Sequence, residues 1–286
     1  MTRYCGRDFT NKELDQIRSL IKENPQFYRA KLSREVCQML QWLKPDGKLK
    51  DMSCRVAMLR MQEDGLIELP EPLRAKAVIR KIEFTPVTDP QDSILCPVNR
   101  LPHLQLQMVN KTNSSLWNEY IERYHYLGYT PLPGAQLRYF ITANGQILAL
   151  TGFGAAAWQT SPRDKFIGWD HEQRKRNLHL IVNNARFLIL PWVQSKNLAS
   201  KILALNARQL PYDWEEKYHI KPVLMESFVE KNRFAGTCYK AANWCNVGQT
   251  KGRGKLGPPG KISVPIKDVW LYPLNKNFRA LLKNDQ

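Results

Sequence analysis

The sequence lacks the features that mark several common classes of protein. Its six cysteines are scattered, and no two of them have the spacing of a zinc-ligand pair. No apolar run approaches membrane-spanning length, and the opening residues, MTRYCGRDF, contain no apolar core of a signal peptide. No Walker loop and no Ser–His–Asp set is visible. We therefore expect a reduced, cytoplasmic protein without a metal site or a membrane partner.

Acidic residues are scarce relative to basic ones. The 286 residues include 43 Lys and Arg but only 26 Asp and Glu, which gives a formal net charge of +17. Hydrophobic residues make up 43% of the chain, enough for a sizeable core, so the chain is not a disordered one. A charge of this size favours a polyanionic partner, DNA or RNA first. The alternative is a generally basic protein.

The first 75 residues predict three short helices followed by a small extended element. The helices are expected from Thr10 or Asn11, over 29–42 and over 53–64, and the extended element over 66–69. This order is typical of a winged-helix domain. Four basic side chains suit phosphate contacts or a helix that reads the major groove: Lys48, Lys50, Arg55 and Arg60. The alternative is a small docking domain with solvated charges.

The rest of the chain predicts a linker and then an α/β (α+β) domain. Residues 76–105 are rich in proline and have few periodic apolar positions, which predicts an extended, semi-rigid linker. Over 106–286, a helix near Ser114 precedes a hairpin that turns at Asn144–Gly145. Apolar runs at 186–193 and 222–229 then predict strands that alternate with helices, hence a mixed sheet.

One turn in this domain predicts an anion site. It lies between a buried strand and a helix, where backbone N–H groups point outward, and it consists of Ser195, Lys196, Asn197, Leu198, Ala199 and Ser200. This part of the chain resembles the GNAT acyltransferase fold. The resemblance lies in the order of its elements: a strand, a helix led by an asparagine, Tyr239, and then a small residue together with an aromatic one. This resemblance implies a donor like acyl-coenzyme A at the turn. The turn lacks the glycines of the usual R/Q-x-x-G-x-G/A pattern, which argues against ordinary acetyl-coenzyme A use.

Longer motifs resemble a narrower family. IGWDHEQRKRNLHLIVNNARFLILPWV, NLAS and FAGTCYKAANW resemble the DruA proteins of the Druantia anti-phage systems, which also occur beside or fused to transposases. The SFVE and GTCYKAANW segments resemble the phage Mom-like branch, which modifies adenine in DNA. That resemblance implies roles in activity for Glu230 and Tyr239.

The residues themselves also suggest an acid–base pair. Glu226 and Glu230 lie four apart around the end of one strand, and Tyr239 lies on the following helix. A carboxylate and a phenol at converging ends of elements form a reasonable base and acid. The alternative is that Glu226 is a buried partner of Arg186 and that Tyr239 belongs to the core.

Two further segments predict contacts with nucleic acid. Residues 154–176 interleave tryptophans with basic residues, which suits an unpaired or flipped base held against a phosphate groove: Trp158, Trp169, Arg174, Lys175 and Arg176. The alternative is an active-site lid whose tryptophans only pack. Near the C-terminus, Lys251, Arg253 and Lys255 lie in a glycine-rich stretch that we interpret as a phosphate-contacting loop.

Three functions remain open from the sequence. The first is a nucleic-acid-modifying group transferase in anti-phage defence. The second is a non-catalytic DNA-binding subunit that serves partners such as a helicase. The third is a transposon-associated DNA-processing protein. The glycine-free turn favours the second, or an unusual donor.

Overall fold

The computed structural model describes residues 2–43, 47–73, 81–252 and 264–284. The chain divides into two compact units, Met1–Arg80 and Lys81–Gln286. Among the residues that are described, no helix is both long and apolar enough to cross a membrane.

The described residues of the first unit form a cluster of three helices preceded by a hairpin. Strands β1 (Thr2–Tyr4) and β2 (Arg7–Phe9) form the hairpin, and helices α1 (Asn11–Glu23), α2 (Arg29–Met39) and α3 (Asp51–Glu63) follow. The Thr10 side chain accepts from the Glu13 N–H, and the Glu13 carboxylate accepts from the Thr10 N–H. This capping box fixes the start of α1, as the sequence predicted.

The wing expected after α3 is not seen in the described part of this unit. Residues 64–73 form no strand, and the hairpin lies before α1 instead. Ile67 and Leu69 are nevertheless buried against the helices, because an apolar chain can pack without pairing. The winged-helix interpretation is therefore not confirmed.

The second unit is built on a seven-stranded mixed sheet. In chain order its strands are β3 (Gln105–Met108), β4 (Gln136–Ala143), β5 (Gln146–Ala155), β6 (Ile181–Ile189), β7 (Leu224–Glu230), β8 (Cys245–Gln249) and β9 (Lys267–Pro273). They lie in the order β3-β4-β5-β6-β7-β9-β8, and every neighbouring pair is antiparallel except β6 and β7. The predicted α/β domain with a mixed sheet is confirmed.

Helices cover both faces of this sheet. They are α4 (Ser114–Tyr124), α5 (Ser161–Ile167), α6 (His171–Asn177), α7 (Leu198–Tyr218), α8 (Thr237–Ala241) and α9 (Phe278–Leu282). Helices α7 and α8 share a core with Phe153 of β5. Gly152 precedes Phe153 in β5 and therefore faces the opposite side of the sheet, because successive strand residues alternate. Trp117 of α4 packs over Gly152 on that side. Helices α5 and α9 share a further core with Leu224 of β7.

Residues 81–104, which we call the strap, belong to the second unit and correct the predicted linker over 76–105. Ile94 forms a parallel bridge with Val193 beside the end of β6, and Leu104 is buried in the core under α4. The Glu119 carboxylate of α4 accepts hydrogen bonds from Thr85 and Thr88. The strap has almost no regular structure, so its apolar residues show no period by which the sequence could have revealed them.

Candidate functional site

A cleft of about 780 Å³ opens where the two parallel strands separate. Strands β6 and β7 pair only over Ile181–Asn184 and Leu224–Ser227. Ala185 follows as an extra residue in β6, since pairing with β5 shifts between Asn184 and Arg186. Such a bulge bends the strand that carries it. Pairing of β6 with β7 ends at this bulge, and the split between the two strands forms the cleft.

Two hydroxyl groups meet on the α8 face of the cleft. Ser227 Oγ donates to the phenolic oxygen of Tyr239 at 2.9 Å and also lies 3.3 Å from the Asn184 carbonyl. Tyr239 is only 6% exposed, and this burial raises the pKa of its phenol. The phenol therefore keeps its proton at neutral pH. Because its oxygen accepts from Ser227, that proton can point to a ligand.

Glu230 is not part of the cleft lining and lies at its rim, beside Arg233 and on the opposite face. It stands three residues after Ser227, so strand alternation turns it to the other side of the sheet. Its side chain is 18% exposed, and its carboxylate is 4.0 Å from Arg233 Nε. Burial, followed by the charge of Glu230, raises the pKa of Tyr126, whose ring lines the cleft. Glu230 and Tyr239 therefore approach one split from two faces.

The structure does not bring Glu226 into the cleft. Its carboxylate is fully buried and accepts from Arg163 Nη1 at 2.8 Å and from the Ala157 N–H at 2.7 Å. Burial raises the pKa of Glu226, and the charge of Arg163 opposes that effect. Glu226 is thus half of a buried ion pair, although its partner is Arg163 rather than the Arg186 that we considered.

The predicted donor turn lies beside the strap and does not line the cleft. None of its residues reaches the cleft lining: Ser195, Lys196, Asn197, Leu198, Ala199 and Ser200. Just before the turn, the Gln194 N–H donates to the Ile94 carbonyl, and the Val98 N–H donates to the Lys196 carbonyl. The N–H groups of Ala199 and Ser200, in the first turn of α7, have no acceptor among the described residues, and such groups at a helix start are suited to an anion.

The two tryptophans of the segment 154–176 differ in their surroundings. Trp158 is 55% exposed, and the Arg174 guanidinium lies 5.7 Å from its ring centre. Trp169 is 8% exposed, and its Nε1 donates to Asp164, which makes it part of the core. Only Trp158 is accessible for stacking on a base.

The predicted basic contacts are mostly at the surface. Lys48, Arg60, Lys175, Arg176 and Lys251 are exposed, whereas Lys50 and Arg55 are half-buried. Arg55 also lies 3.9 Å from Asp51. Arg174 is buried and binds Asp164. Arg253 and Lys255 lie outside the described residues. In the part of the chain that is described, no three His, Cys, Asp or Glu side chains form a group suited to a metal ion.

Polar groups on β6 were not predicted as site residues. Asn183 Oδ1, both amide atoms of Asn184 and Arg186 Nε are buried without a hydrogen-bond partner. All three side chains line the cleft. The signal was visible in the sequence, since three polar residues interrupt a run that otherwise predicts a strand buried on both faces.

His125, at the end of α4, also lines the cleft and is held neutral. Burial, helped by the charge of Arg186, lowers its pKa from 6.5 to about 4. Its Nδ1 accepts from the Leu127 N–H at 3.2 Å, which only the neutral ring can do at that atom.

We expect the stability that depends on neutral His125 to be lost in acid. The unfolded chain binds a proton near pH 6.5 and the folded chain only near pH 4, so folding is disfavoured progressively as pH falls between these values. Urea unfolding of wild type and His125→Asn at pH 7 and pH 4.5 measures this loss. The wild type should lose about 2 kcal/mol relative to the variant. An unchanged difference would contradict a neutral, buried His125.

Fold and cleft together define the class of the protein. It is an α/β domain on a mixed sheet, with a tyrosine–serine hydroxyl pair at a strand split, preceded by a helical unit. The sequence matches the family described as Druantia protein DruA over residues 60–262. The chain therefore belongs to the DruA family, which the motifs of the second unit had indicated. No curated protein matches it.

Several solved acetyltransferases are similar to this chain at low identity. A probable acetyltransferase from Staphylococcus epidermidis ATCC 12228 shares 8% identity over 60% of this chain and 100% of its own, with a TM-score of 0.40. An N-acetyltransferase from Staphylococcus aureus Mu50 shares 8% over 60% and 98%, with a TM-score of 0.37. Aminoglycoside acetyltransferase AAC(6')-Ib, solved with coenzyme A, shares 13% over 60% and 95%, with a TM-score of 0.39.

Proposed function

We propose that this protein acts in a Druantia anti-phage system by binding DNA or RNA and holding a nucleobase in the cleft for group transfer. The observation that carries the proposal is the convergence at one strand split of the Tyr239–Ser227 hydroxyl pair and the Glu230 carboxylate. A base and an acid on opposite faces are what transfer to an exocyclic amine requires.

Each group has a defined part in such a transfer. Glu230, half-shielded at the rim, takes the proton from the amine of the acceptor base. Tyr239, whose raised pKa keeps it protonated, donates a proton to the leaving group. Tyr126 and Phe234, with ring centres 5.4 Å apart, provide aromatic surface against which the base can stack.

The donor is proposed to bind through its negative charge. A donor like acyl-coenzyme A would supply the transferred group when bound. The backbone N–H groups of Ala199 and Ser200, in the first turn of α7, would hold its phosphates.

The test is mass spectrometry of nucleosides from cells that express the protein. We expect one nucleoside to gain mass with the wild type and none to gain mass with Glu230→Ala, which removes the base from the rim. Thermal melting of the purified variant must match the wild type for the comparison to hold. If the wild type leaves every nucleoside unchanged, the proposed transfer is wrong.

Nucleic-acid binding has its own test, because the net charge of +17 supports it independently of the cleft. We expect affinity for DNA or RNA to fall steeply with salt, since each neutralised phosphate releases counterions. Replacing Lys48, Lys50, Arg55 and Arg60 with Glu should lower affinity and reduce the slope by about 1 for each phosphate that is no longer neutralised. An unchanged slope would place the binding face elsewhere, beginning with the surface around Trp158.

A second function is favoured by one observation. The strap hydrogen-bonds on both sides of Ser195, through Gln194 and Lys196, so it limits the space where donor phosphates would bind. A non-catalytic subunit that presents nucleic acid to a partner such as a helicase, or a transposon-associated DNA-processing protein, would need no donor. If cells that express the protein are fully protected from phage while their nucleosides stay unmodified, this second function is favoured over group transfer.

A further inference from the structure

The α4 face of the cleft contains a cation that the described chain does not neutralise. Arg186 Nη1 donates to the Ala185 carbonyl at 2.8 Å, while Nε is buried without an acceptor. No carboxylate in the described residues forms an ion pair with it. Burial lowers the pKa of Arg186, which reflects the free energy needed to keep its charge there. Such a guanidinium is suited to an anion that comes from outside the chain.

The charges around Arg186 have the same sign. Arg233 and Lys267 also line the cleft, and its lining contains no Asp or Glu among the described residues. The nearby His125 is neutral at physiological pH. The Glu230 carboxylate lies at the rim, outside the lining, 4.0 Å from Arg233 Nε. The interior of the cleft is therefore positive, and an anionic ligand gains from entering it.

Neutral polar groups lie on both faces of the cleft. Asn183 pairs with Gly154 and so shares the face of Arg186, which pairs with Gly152, whereas Asn184 pairs with Phe153 and faces α8. Asn183 presents an acceptor and Asn184 presents a donor and an acceptor, all buried and without partners in the described part of the chain. Unpaired buried amides are costly, and a ligand edge with complementary groups would satisfy them. Tyr126 and Phe234 add aromatic surface in the same cleft. Its volume, about 780 Å³, is sufficient for one nucleotide.

We propose that Arg186 binds the phosphate of a single nucleotide whose base contacts the amide of Asn183, on the same face of the strand. The inference rests on the proposed function, because it names the phosphate that belongs to the base held for transfer. The shared chemistry is a phosphate ester next to an aromatic base. It can come from a nucleotide flipped out of a polynucleotide or from a free mononucleotide.

Calorimetric titration tests the subsite with defined probes. The probes are the four nucleoside 5′-monophosphates, their nucleosides, and a duplex with one bulged nucleotide against its fully paired control. At least one phosphate-bearing probe should bind wild type about tenfold more tightly than its control, which corresponds to about 1.4 kcal/mol. A preference among monophosphates identifies a free nucleotide as the source, and a preference for the bulged duplex alone identifies a flipped one.

Variants separate the guanidinium from general effects of charge. Arg186→Gln should abolish the preference and leave nucleoside affinity within about twofold, because the substitution removes only the group that binds the anion. Arg186→Lys should retain part of the preference for phosphate-bearing probes. This variant still tests the subsite if Arg186→Gln folds poorly. Arg138→Gln is the matched control, since Arg138 is a half-buried arginine that binds Asn118 and Ser114 outside the cleft lining. Its preference should equal that of wild type.

The subsite and the transfer can fail separately. If Arg186→Gln loses the phosphate preference while wild-type cells show no modified nucleoside, the subsite stands and the transfer is wrong. The subsite is overturned if no probe distinguishes wild type from Arg186→Gln. It is equally overturned if the glutamine variant modifies nucleosides at the wild-type level.

Discussion

Replacing Tyr239 with phenylalanine is expected to abolish anti-phage activity while the fold and the affinity for nucleic acid stay near those of the wild type. The substitution removes the one proton that the proposed mechanism offers to a leaving group, a contribution of roughly 10²- to 10⁴-fold in rate. Structurally it removes only the hydrogen bond with Ser227, worth about 1 kcal/mol. The ring keeps its contacts with Trp244 and Trp270. Plaque assays paired with thermal melting measure both effects.

Tyr139→Phe is the matched control for this substitution. Tyr139 is another buried phenol on the same face of the sheet, but its hydroxyl donates to Asp213 rather than into the cleft. Its loss should lower stability and leave activity intact. Glu230→Gln should behave as Tyr239→Phe does, since it removes the base without changing shape. Full activity in both cleft variants would reduce the domain to a scaffold and favour the non-catalytic function.

Replacing Glu226 with alanine is expected to destabilise the second unit by about 3 kcal/mol. The substitution would remove one of two carboxylates that neutralise the buried Arg163 guanidinium, and Asp164, 2.8 Å from Nη2, would remain. It would also leave the Ala157 N–H without its acceptor. Arg163 also ties the segment after β5 to β7, through the Ala157 carbonyl. Urea unfolding, followed by a signal from the second unit, measures the loss.

Two comparisons test whether the effect comes from the buried charge. Replacing both partners with apolar residues, Arg163→Met with Glu226→Leu, should recover part of the stability, because the two fully buried charges are removed together and Asp164 keeps Arg174 as a partner. Glu215→Ala breaks the exposed pair with Lys221 and should change stability by less than about 1 kcal/mol. A loss of under about 1 kcal/mol for Glu226→Ala would mean that the buried carboxylate contributes little to the stability of the second unit.

Local signals in the sequence predicted much of the secondary structure. The Thr10–Glu13 capping box set the start of α1, and the Asn144–Gly145 pair set the hairpin turn, where both residues have positive φ. The Asn-led helix expected before Tyr239 does not begin at its asparagine, Asn232, because α8 begins only after Gly236. A Cβ at Gly236 would lie 2.6 Å from the Trp270 ring, so a distant tryptophan fixes that start.

The cleft was less accessible to sequence reasoning because its shape depends on pairing between strands. The sequence pointed to Glu230 and Tyr239, and the structure places both at the strand split, although their catalytic roles stay a prediction. The bulge at Ala185 depends on the register with β5, which no local pattern encodes. The partner of Glu226 is 63 residues away in the chain, so choosing Arg163 over Arg186 required the fold.

The strap also determines where the chain can be cut and rejoined. A fragment that begins at residue 106 would lose Ile94 and Leu104 and would leave the Glu119 carboxylate without its donors. A fragment that begins at Lys81 keeps all of these contacts, and the region matched by the family includes the whole strap. A junction just before Lys81 would therefore keep the cleft-bearing unit intact when a different domain is placed before it.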